Sequence, residues 1–184
     1  FDESRQITRQ LLEQYSQQDR FALDLNLLLA KNYDALNENE AIIPLVRQME
    51  IILSQEHTQN PWYPVWVLYF KGLTQIYLGE LESGVQAYQQ ALELLPSAPG
   101  GPEADVIPLL HNHLGYLLME RNQPDTALFH LEKAYAIWQD NPGVNAQGNT
   151  VRILTNIGRL YKERFQPDRA LRYSRQALRM ARRY

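Results

Sequence analysis

The sequence predicts an all-α fold, a right-handed α-solenoid of antiparallel helix pairs, and three observations support this class. A stretch that reads as two helices and a short turn, Val65–Pro96, returns twice at a spacing of 43 residues. Glycines recur in that register, at Gly72, Gly115 and Gly158. The segment ERNQPDTAL returns 43 residues later as ERFQPDRAL. A repeat period of this size is typical of a solenoid, in which each repeat packs on its neighbours.

The residues that recur are those that two crossing helices require. The other small residues in the 43-residue register are Ala91, Ala134 and Ala177, and Gly84, Ala127 and Ala170. Glycine and alanine allow two helix backbones to approach closely where they cross. Pro124 and Pro167 suit the first turn of a second helix, where a missing N–H has no cost. Asp125 and Asp168 then place negative charge near the positive end of the helix dipole.

The pattern resembles the tetratricopeptide repeat (TPR) family, in repeats of about 43 residues. With Val65 as position 1, the family's residues at positions 8, 20, 24, 27 and 32 correspond to Gly72, Gly84, Tyr88, Ala91 and Pro96. At positions 8, 20, 24 and 27 the later copies have Gly115, Ala127, Leu131 and Ala134, and Gly158, Ala170, Ser174 and Ala177. The sequence departs from the family's Trp at position 4, and its period is longer than the usual 34 residues or so. Long repeats of this kind are similar to those of kinesin light chains and of bacterial peptide-sensing regulators.

Before the clear repeats, the chain has two segments that fit the same architecture. Residues 1–19 are predicted to form an N-terminal packing helix. Its apolar stripe consists of Ile7, Leu11, Leu12 and Tyr15. Residues 20–56 read as a degenerate repeat with helices over Phe21–Leu36 and Glu40–Ser54. In that repeat Ala30 takes the position of Gly72.

Three clear repeats follow, over residues 65–98, 108–141 and 151–184. The predicted helix pairs are Val65–Leu78 with Glu82–Leu95, Val106–Arg121 with Pro124–Gln139, and Thr150–Arg164 with Pro167–Arg183. A linker, His57–Pro64, precedes the first of them, and its Trp62 is expected to pack over the seam between repeats together with Tyr63. We therefore expect one domain, a single TPR-like solenoid over all 184 residues.

Charge divides the chain into an acidic and a basic part. Residues 1–105 carry 6 basic and 15 acidic side chains, whereas residues 106–184 carry 12 basic and 6 acidic ones. The basic excess lies in the last predicted helix, at Arg169, Arg172, Arg175, Arg179, Arg182 and Arg183. Such a run is either a solvated outer face or a surface for an acidic partner, a neighbouring domain or a membrane.

Cysteine is absent, which excludes disulfides, thiol catalysis and Cys-ligated zinc. It leaves the compartment open, because a Cys-free helical protein suits cytosol and periplasm alike. No run approaches the roughly 18 apolar residues of a membrane span. The chain begins FDESR, without an initiator Met, which fits a processed chain or a piece of a longer protein.

Catalytic motifs are missing from the sequence, and we expect no enzyme, no cofactor and no metal. There is no HExxH, no phosphate-binding glycine loop and no nucleophile elbow. His111 and His113 stand two apart on a predicted helix, so they cannot share a metal. His111 is interpreted as a histidine of the helix interface.

The TPR resemblance implies a concave groove lined by the first helix of each pair, at repeat positions 2, 5, 9, 12 and 13. In the first repeat this stripe contains Trp66, Tyr69, Leu73 and Tyr77. In the second it contains Asn112 and Tyr116, and in the third Arg152, Thr155, Arg159 and Lys162, with Asn156 at the border. One end of the stripe is therefore aromatic and the other cationic. Such a groove could take a peptide with an apolar part and an acidic part, and its asparagines could pair with the peptide backbone.

The sequence thus predicts a non-catalytic protein- or peptide-binding module, the sensory or scaffold region of a larger bacterial protein. One alternative is a structural module that self-associates or spaces two domains. In a second alternative, Trp66, Tyr69 and Tyr116 fill the groove against the N-terminal helix or an adjacent domain. Nucleic-acid binding is not expected, because the Arg-rich helix offers only Tyr173 and Tyr184 for stacking on bases.

Overall fold

The computed structural model describes residues 20–55, 60–95, 105–140 and 146–182, together with residues 6, 7 and 10. Most of the predicted packing helix of residues 1–19 lies outside them. So do Pro96, Arg183, Tyr184 and the two Pro-Gly loops after the first and second clear repeats.

Within those ranges the chain forms eight α-helices and no strand. In chain order they are α1 (Arg20–Ala35), α2 (Asn39–Gln55), α3 (Trp62–Tyr77), α4 (Leu81–Glu93), α5 (Val106–Glu120), α6 (Pro124–Asp140), α7 (Ala146–Glu163) and α8 (Pro167–Ala181). They belong to two compact units, Phe1–Pro99 with α1 to α4 and Gly100–Tyr184 with α5 to α8. In each unit every helix packs against the next one along the chain, as successive helix pairs of a repeat protein do.

Each helix pair is joined by the same tight turn. A single residue in the left-handed conformation lies in each turn: Asn37, Gly79, Asn122 and Phe165, with φ between 56° and 85°. The following N–H then returns to a carbonyl in the last turn of the first helix, as in Gln166 to Tyr161 at 2.9 Å. This is the Schellman arrangement that satisfies the last carbonyls of a helix. It sets a sharp reversal, so the second helix of each pair returns along the first.

Small residues do lie where the helices of a pair cross, as the 43-residue register predicts. A Cβ built on Gly72 would be 2.6 Å from the ring of Tyr88, and one on Gly115 would be 2.6 Å from Leu131. Both distances are far below normal contact, so only glycine fits there. At the third crossing Ser174 replaces the large partner, and a Cβ on Gly158 would be 3.1 Å from its Oγ.

The helix boundaries follow the sequence closely, with two corrections. α7 begins at Ala146, four residues before the predicted Thr150. Trp62 and Tyr63 do not belong to a linker but to the first turn of α3, which begins three residues before the predicted Val65. Oδ1 of Asn60 accepts a hydrogen bond from the backbone N–H of Trp62 at 3.0 Å and so caps the helix. The expected contact with the preceding repeat is present for Tyr63, whose hydroxyl donates to Asp24 of α1 at 2.5 Å.

Candidate partner-binding face

The predicted binding stripe begins in the first unit with two aromatic residues that are buried. Trp66 is 5% exposed and Tyr69 is 1% exposed. Their rings lie edge to face with centroids 5.7 Å apart, and Trp66 also stacks on Phe70. The ammonium of Lys31 in α1 lies 3.8 Å from the centroid of the Trp66 ring. These contacts place Trp66 and Tyr69 in the interior of the unit and remove them from the surface that a partner could contact.

The hydroxyl of Tyr69 is committed as well. It donates to Oδ2 of Asp34 in α1 at 2.9 Å. Burial raises the pKa of Tyr88, and the charge of the same Asp34 carboxylate raises it further. Asp34 is half-buried, so its charge is balanced by fixed donors of the protein more than by water. The aromatic end of the stripe therefore joins the degenerate repeat to the first clear repeat.

Farther along α3 the stripe reaches the surface. Leu73 is half-buried and Tyr77 is 51% exposed. Leu78, in the turn that follows, is 56% exposed, and Leu81, the first residue of α4, is 47% exposed. The accessible part of this stripe in the first unit is thus apolar and small.

In the second unit the stripe includes a charged cluster across α5 and α7. Nη2 of Arg159 donates to the carboxylate of Glu120, and its Nε donates to Glu163 at 2.9 Å. The guanidinium also lies over the ring of Tyr116, 5.5 Å from the centroid. The two carboxylates raise the pKa of Arg159 above its ordinary value. Arg159 is therefore already paired with two carboxylates of the protein, and Tyr116 beneath it is 40% exposed.

Two asparagines connect the same helices one turn away. Nδ2 of Asn156 in α7 donates to Oδ1 of Asn112 in α5 at 3.2 Å. Asn112 is 5% exposed, whereas Asn156 is half-buried. The amide of Asn156 keeps both donor and acceptor capacity beyond this bond. The pair can therefore hold α5 against α7 and still offer a polar group at the surface.

The remaining predicted residues lie on the exposed side of α7. Arg152, Thr155 and Lys162 are all exposed. Thr155 donates to the carbonyl of Val151 at 2.8 Å, so its hydroxyl is partly used within the helix. Over the part of the chain that the structure describes, neither Arg152 nor Lys162 forms an ion pair. They are the cations of this stripe that remain for a ligand.

The histidines of α5 are used within the fold. His111 is 8% exposed, and its Nδ1 lies 2.8 Å from Nδ1 of His130 in α6. Burial first, and then the charges of His130 and Lys133, lower the pKa of His111 to about 4. Burial also lowers the pKa of His113 to about 4, assisted by Arg152. Both are neutral at physiological pH, and His111 contributes to the helix interface, as predicted.

Clusters of three or more His, Asp or Glu that could hold a metal ion do not occur among the residues that the structure places. Nor is any helix in this part of the chain long and apolar enough to cross a membrane.

The repeats match two sequence profiles of one family. A profile described as tetratricopeptide repeat matches residues 105–183, and another with the same description matches residues 67–97. Gly115 and Gly158 lie inside the first match, and Gly72 and the turn at Gly79 lie inside the second. The chain belongs to the tetratricopeptide repeat family. A comparison with curated protein sequences gave no match.

Solved structures of other proteins share the TPR fold of this chain. BtubC (BKLC) from P. vanneervenii is similar with a TM-score of 0.70 and 16% identity, over 100% of this chain and 71% of the other. MamA is similar with a TM-score of 0.59 and 18% identity, over 97% and 87%. A Podospora anserina protein described as a kinesin light chain, with nearly identical TPR-like repeats, gives a TM-score of 0.62 at 15% identity, over 97% and 85%. At such identities the likeness concerns the fold alone.

The predicted fold class, an all-α solenoid of TPR-like helix pairs, is therefore confirmed. TPR folds are generally non-catalytic scaffolds for protein interaction, and this TPR chain is a protein-interaction module. What it binds has to be argued from its own side chains.

One part of this face was not anticipated from the sequence. The Glu120–Arg159 pair links position 13 of one repeat to position 9 of the next. Two predicted groove positions of opposite charge thus neutralise each other. A comparison of charges between successive registers, rather than along one helix, could have found this pair.

Proposed function

We propose that this TPR module binds an extended acidic peptide of a partner protein along the exposed face of α5 and α7, and that it catalyses no reaction. The observation that carries the proposal is the pair of exposed cations on α7, Arg152 and Lys162. In the described part of the chain no carboxylate forms an ion pair with either of them. A partner carboxylate would supply the missing charge.

The spacing of these cations defines the peptide. They are ten residues apart on one helix, which corresponds to about 15 Å along its axis. An extended peptide rises about 3.3 Å per residue. A peptide that runs along α7 would therefore meet both cations with acidic side chains four or five residues apart.

Between the two cations, the same face offers an aromatic and an amide contact. The ring of Tyr116 is held by Arg159 and is 40% exposed, so it can cover an apolar side chain of the peptide. The amide of Asn156 can exchange hydrogen bonds with a peptide backbone, which needs both a donor and an acceptor.

An array of ten-residue peptides with two glutamates at varied separation tests this proposal. We expect binding only when the glutamates are four or five residues apart. The Arg152→Glu variant should lower the affinity of the selected peptide at least tenfold. Arg175→Glu, the same charge reversal on α8, serves as the control and should leave it unchanged. Equal binding at all separations, or indifference to Arg152→Glu, would remove the site from this face.

Self-association is a second candidate, because three leucines of the first unit are about half exposed: Leu78, Leu81 and Leu94. Sedimentation equilibrium distinguishes the two functions. A dimer that dissociates on dilution, and that a Leu78→Ser and Leu81→Ser double variant abolishes, would favour self-association. A monomer that binds the selected peptide would favour the interaction module.

We further propose that the chain serves as the sensory or scaffold part of a larger bacterial protein, which its full-length sequence would test.

A further inference from the structure

The outer side of α6 shows how one repeat receives the next in this protein. Leu128 and Tyr135 on α6 are half-buried and pack against the core of the second unit. To that core α7 contributes Ile153, Ile157 and Leu160. Leu128 and Tyr135 thus lie two turns apart on α6, beside the core to which α7 contributes, and the hydroxyl of Tyr135 accepts a hydrogen bond from Gln176 of α8.

The same surface is present on α8, but among the described residues no helix covers it. The residues 43 positions after Leu128 and Tyr135 are Leu171 and Leu178. They are 49% and 51% exposed. Seven residues apart, they lie on one line of the helix, as their counterparts on α6 do. α8 therefore presents the apolar stripe on which a further amphipathic helix would pack.

Charge distinguishes α8 from α2 and α6, which are the second helices of pairs on which the next helix pair packs. Where one helix pair packs on the next, the second helix of the earlier pair supplies the anion and the first helix of the later pair supplies the cation. Glu50 of α2 pairs with Lys71 of α3 at 2.7 Å, and Asp125 of α6 pairs with Arg164 at the end of α7.

On α8 the sign is reversed. The stripe of Leu171 and Leu178 is flanked by four exposed cations, Arg172, Arg175, Arg179 and Arg182. The residues 43 positions earlier on α6 are Phe129, Glu132, Ala136 and Gln139, none of which is basic. Asp168, which repeats Asp125, is the one acidic residue of α8. A helix that carries cations, as α3 and α7 do, would be repelled here.

We propose that α8 is a second docking surface, on which an amphipathic helix of a partner protein packs with its apolar stripe on Leu171 and Leu178 and its flanking carboxylates on the arginines. The leucines require an apolar partner, which the phosphates of a nucleic acid do not provide. Two half-exposed leucines are also too small an apolar face for a helix that lies in a membrane surface. This surface is separate from the face of α5 and α7.

The test uses a helix that already docks in this protein. The probe is a fluorescein-labelled peptide of residues 146–163 with Arg152→Glu, Arg159→Glu and Lys162→Glu, which keeps the apolar stripe of α7 and makes its flanks acidic. The unmodified peptide of residues 146–163 is the matched control. Fluorescence anisotropy with the full chain should give saturable binding of the acidic peptide, at least tenfold tighter than that of the unmodified one.

Variants of the full chain locate the binding. Leu178→Ser should weaken binding of the acidic peptide at least tenfold. The Arg175→Glu and Arg179→Glu double variant should separately do the same. Arg47→Glu, an exposed charge reversal on α2 of the first unit, should leave it unchanged. Circular dichroism checks that each variant keeps its helix content.

Four results would overturn the proposal. They are equal affinity for both peptides, no saturable binding up to 100 µM, insensitivity to the α8 substitutions, and loss of binding in Arg47→Glu. Binding of duplex DNA or of phosphatidylserine vesicles that depends on Arg175 and Arg179, in place of peptide binding, would assign the surface to phosphates. A dimer that the α8 substitutions dissociate would assign it to a second copy of the chain.

Discussion

Gly72 in α3 lies against the ring of Tyr88 in α4, so close that an added Cβ would be 2.6 Å from Cε1 of the ring. Tyr88 is completely buried and cannot move aside without a shift of the helix. We predict that Gly72→Ala destabilises the protein by about 1–3 kcal/mol, the usual range for overpacking a core. Urea denaturation followed by circular dichroism measures this loss.

Gly158→Ala is the matched control for that prediction. The same Cβ at the third crossing would be 3.1 Å from Oγ of Ser174, a hydroxyl that can rotate away. Alanine also gains about 1 kcal/mol over glycine in a helix interior. The loss in free energy of unfolding should therefore be smaller for Gly158→Ala than for Gly72→Ala by at least about 1 kcal/mol. Equal losses at the two sites would mean that close crossing does not explain the repeated glycines.

Phe165 is a strained residue of the α7–α8 turn. Its φ is 56°, in the left-handed region, and its side chain is 94% exposed. Gly79 occupies the corresponding turn of the first clear repeat. We predict that Phe165→Gly raises the free energy of unfolding by about 0.5–1 kcal/mol, because glycine has no steric cost at this φ. Phe165→Ala keeps the strain and should change stability by less than about 0.5 kcal/mol. A stabilisation by alanine equal to that by glycine would contradict this explanation.

The hydroxyl of Tyr69 stabilises the first unit through its bond to Asp34. Tyr69→Phe removes the donor and leaves a half-buried carboxylate with one bond fewer, which should cost about 1–3 kcal/mol. Tyr63→Phe is the comparison. Its partner Asp24 is exposed, so water can replace the lost hydroxyl and the cost should be smaller. Thermal unfolding of the two variants, side by side, checks the order, and a larger loss for Tyr63→Phe would contradict it.

The buried histidines make stability depend on pH. The pKa of His111 is about 4 in the folded chain, below its ordinary value of 6.5, because burial disfavours the imidazolium. Between these two values the unfolded chain binds more protons than the folded one, so stability falls as pH is lowered from 6.5 toward 4. The slope for one such group approaches about 1.4 kcal/mol per pH unit.

Denaturant titrations at several pH values measure this slope. His111→Gln removes one titrating group. Between pH 4 and 6.5 the slope of stability against pH should fall by close to the contribution of that group, about 1.4 kcal/mol per pH unit. An unchanged slope in His111→Gln would show that folding does not lower the pKa of this imidazole.

Much of the fold could be predicted from the sequence, because the information is local and repeated. A 43-residue period fixed the helix pairs, and proline, aspartate and glycine marked their ends. The start of α3 was misplaced because its cap, Asn60, precedes a proline in a segment that reads as a linker. Cap geometry depends on one side-chain hydrogen bond, which periodicity does not report.

The candidate site was less predictable, because a stripe on one helix does not show what packs on it. Trp66 and Tyr69 occupy groove positions by register, yet Lys31 and Asp34 of the degenerate first repeat cover them. Arg159 also has a groove position, but Glu120 neutralises it from the preceding repeat. Such contacts between repeats depend on which residues face each other across two helices.

A charge swap between Arg152 and the acidic residue of the selected peptide that faces it tests the central claim most directly. Isothermal titration would compare the four combinations of wild-type or Arg152→Glu protein with the peptide carrying glutamate or lysine at that position. We predict that each single change weakens binding at least tenfold and that the double change recovers most of the loss, with a coupling energy above about 1 kcal/mol. Additive losses, or binding that ignores Arg152, would contradict the assignment of the α5–α7 face as the binding site.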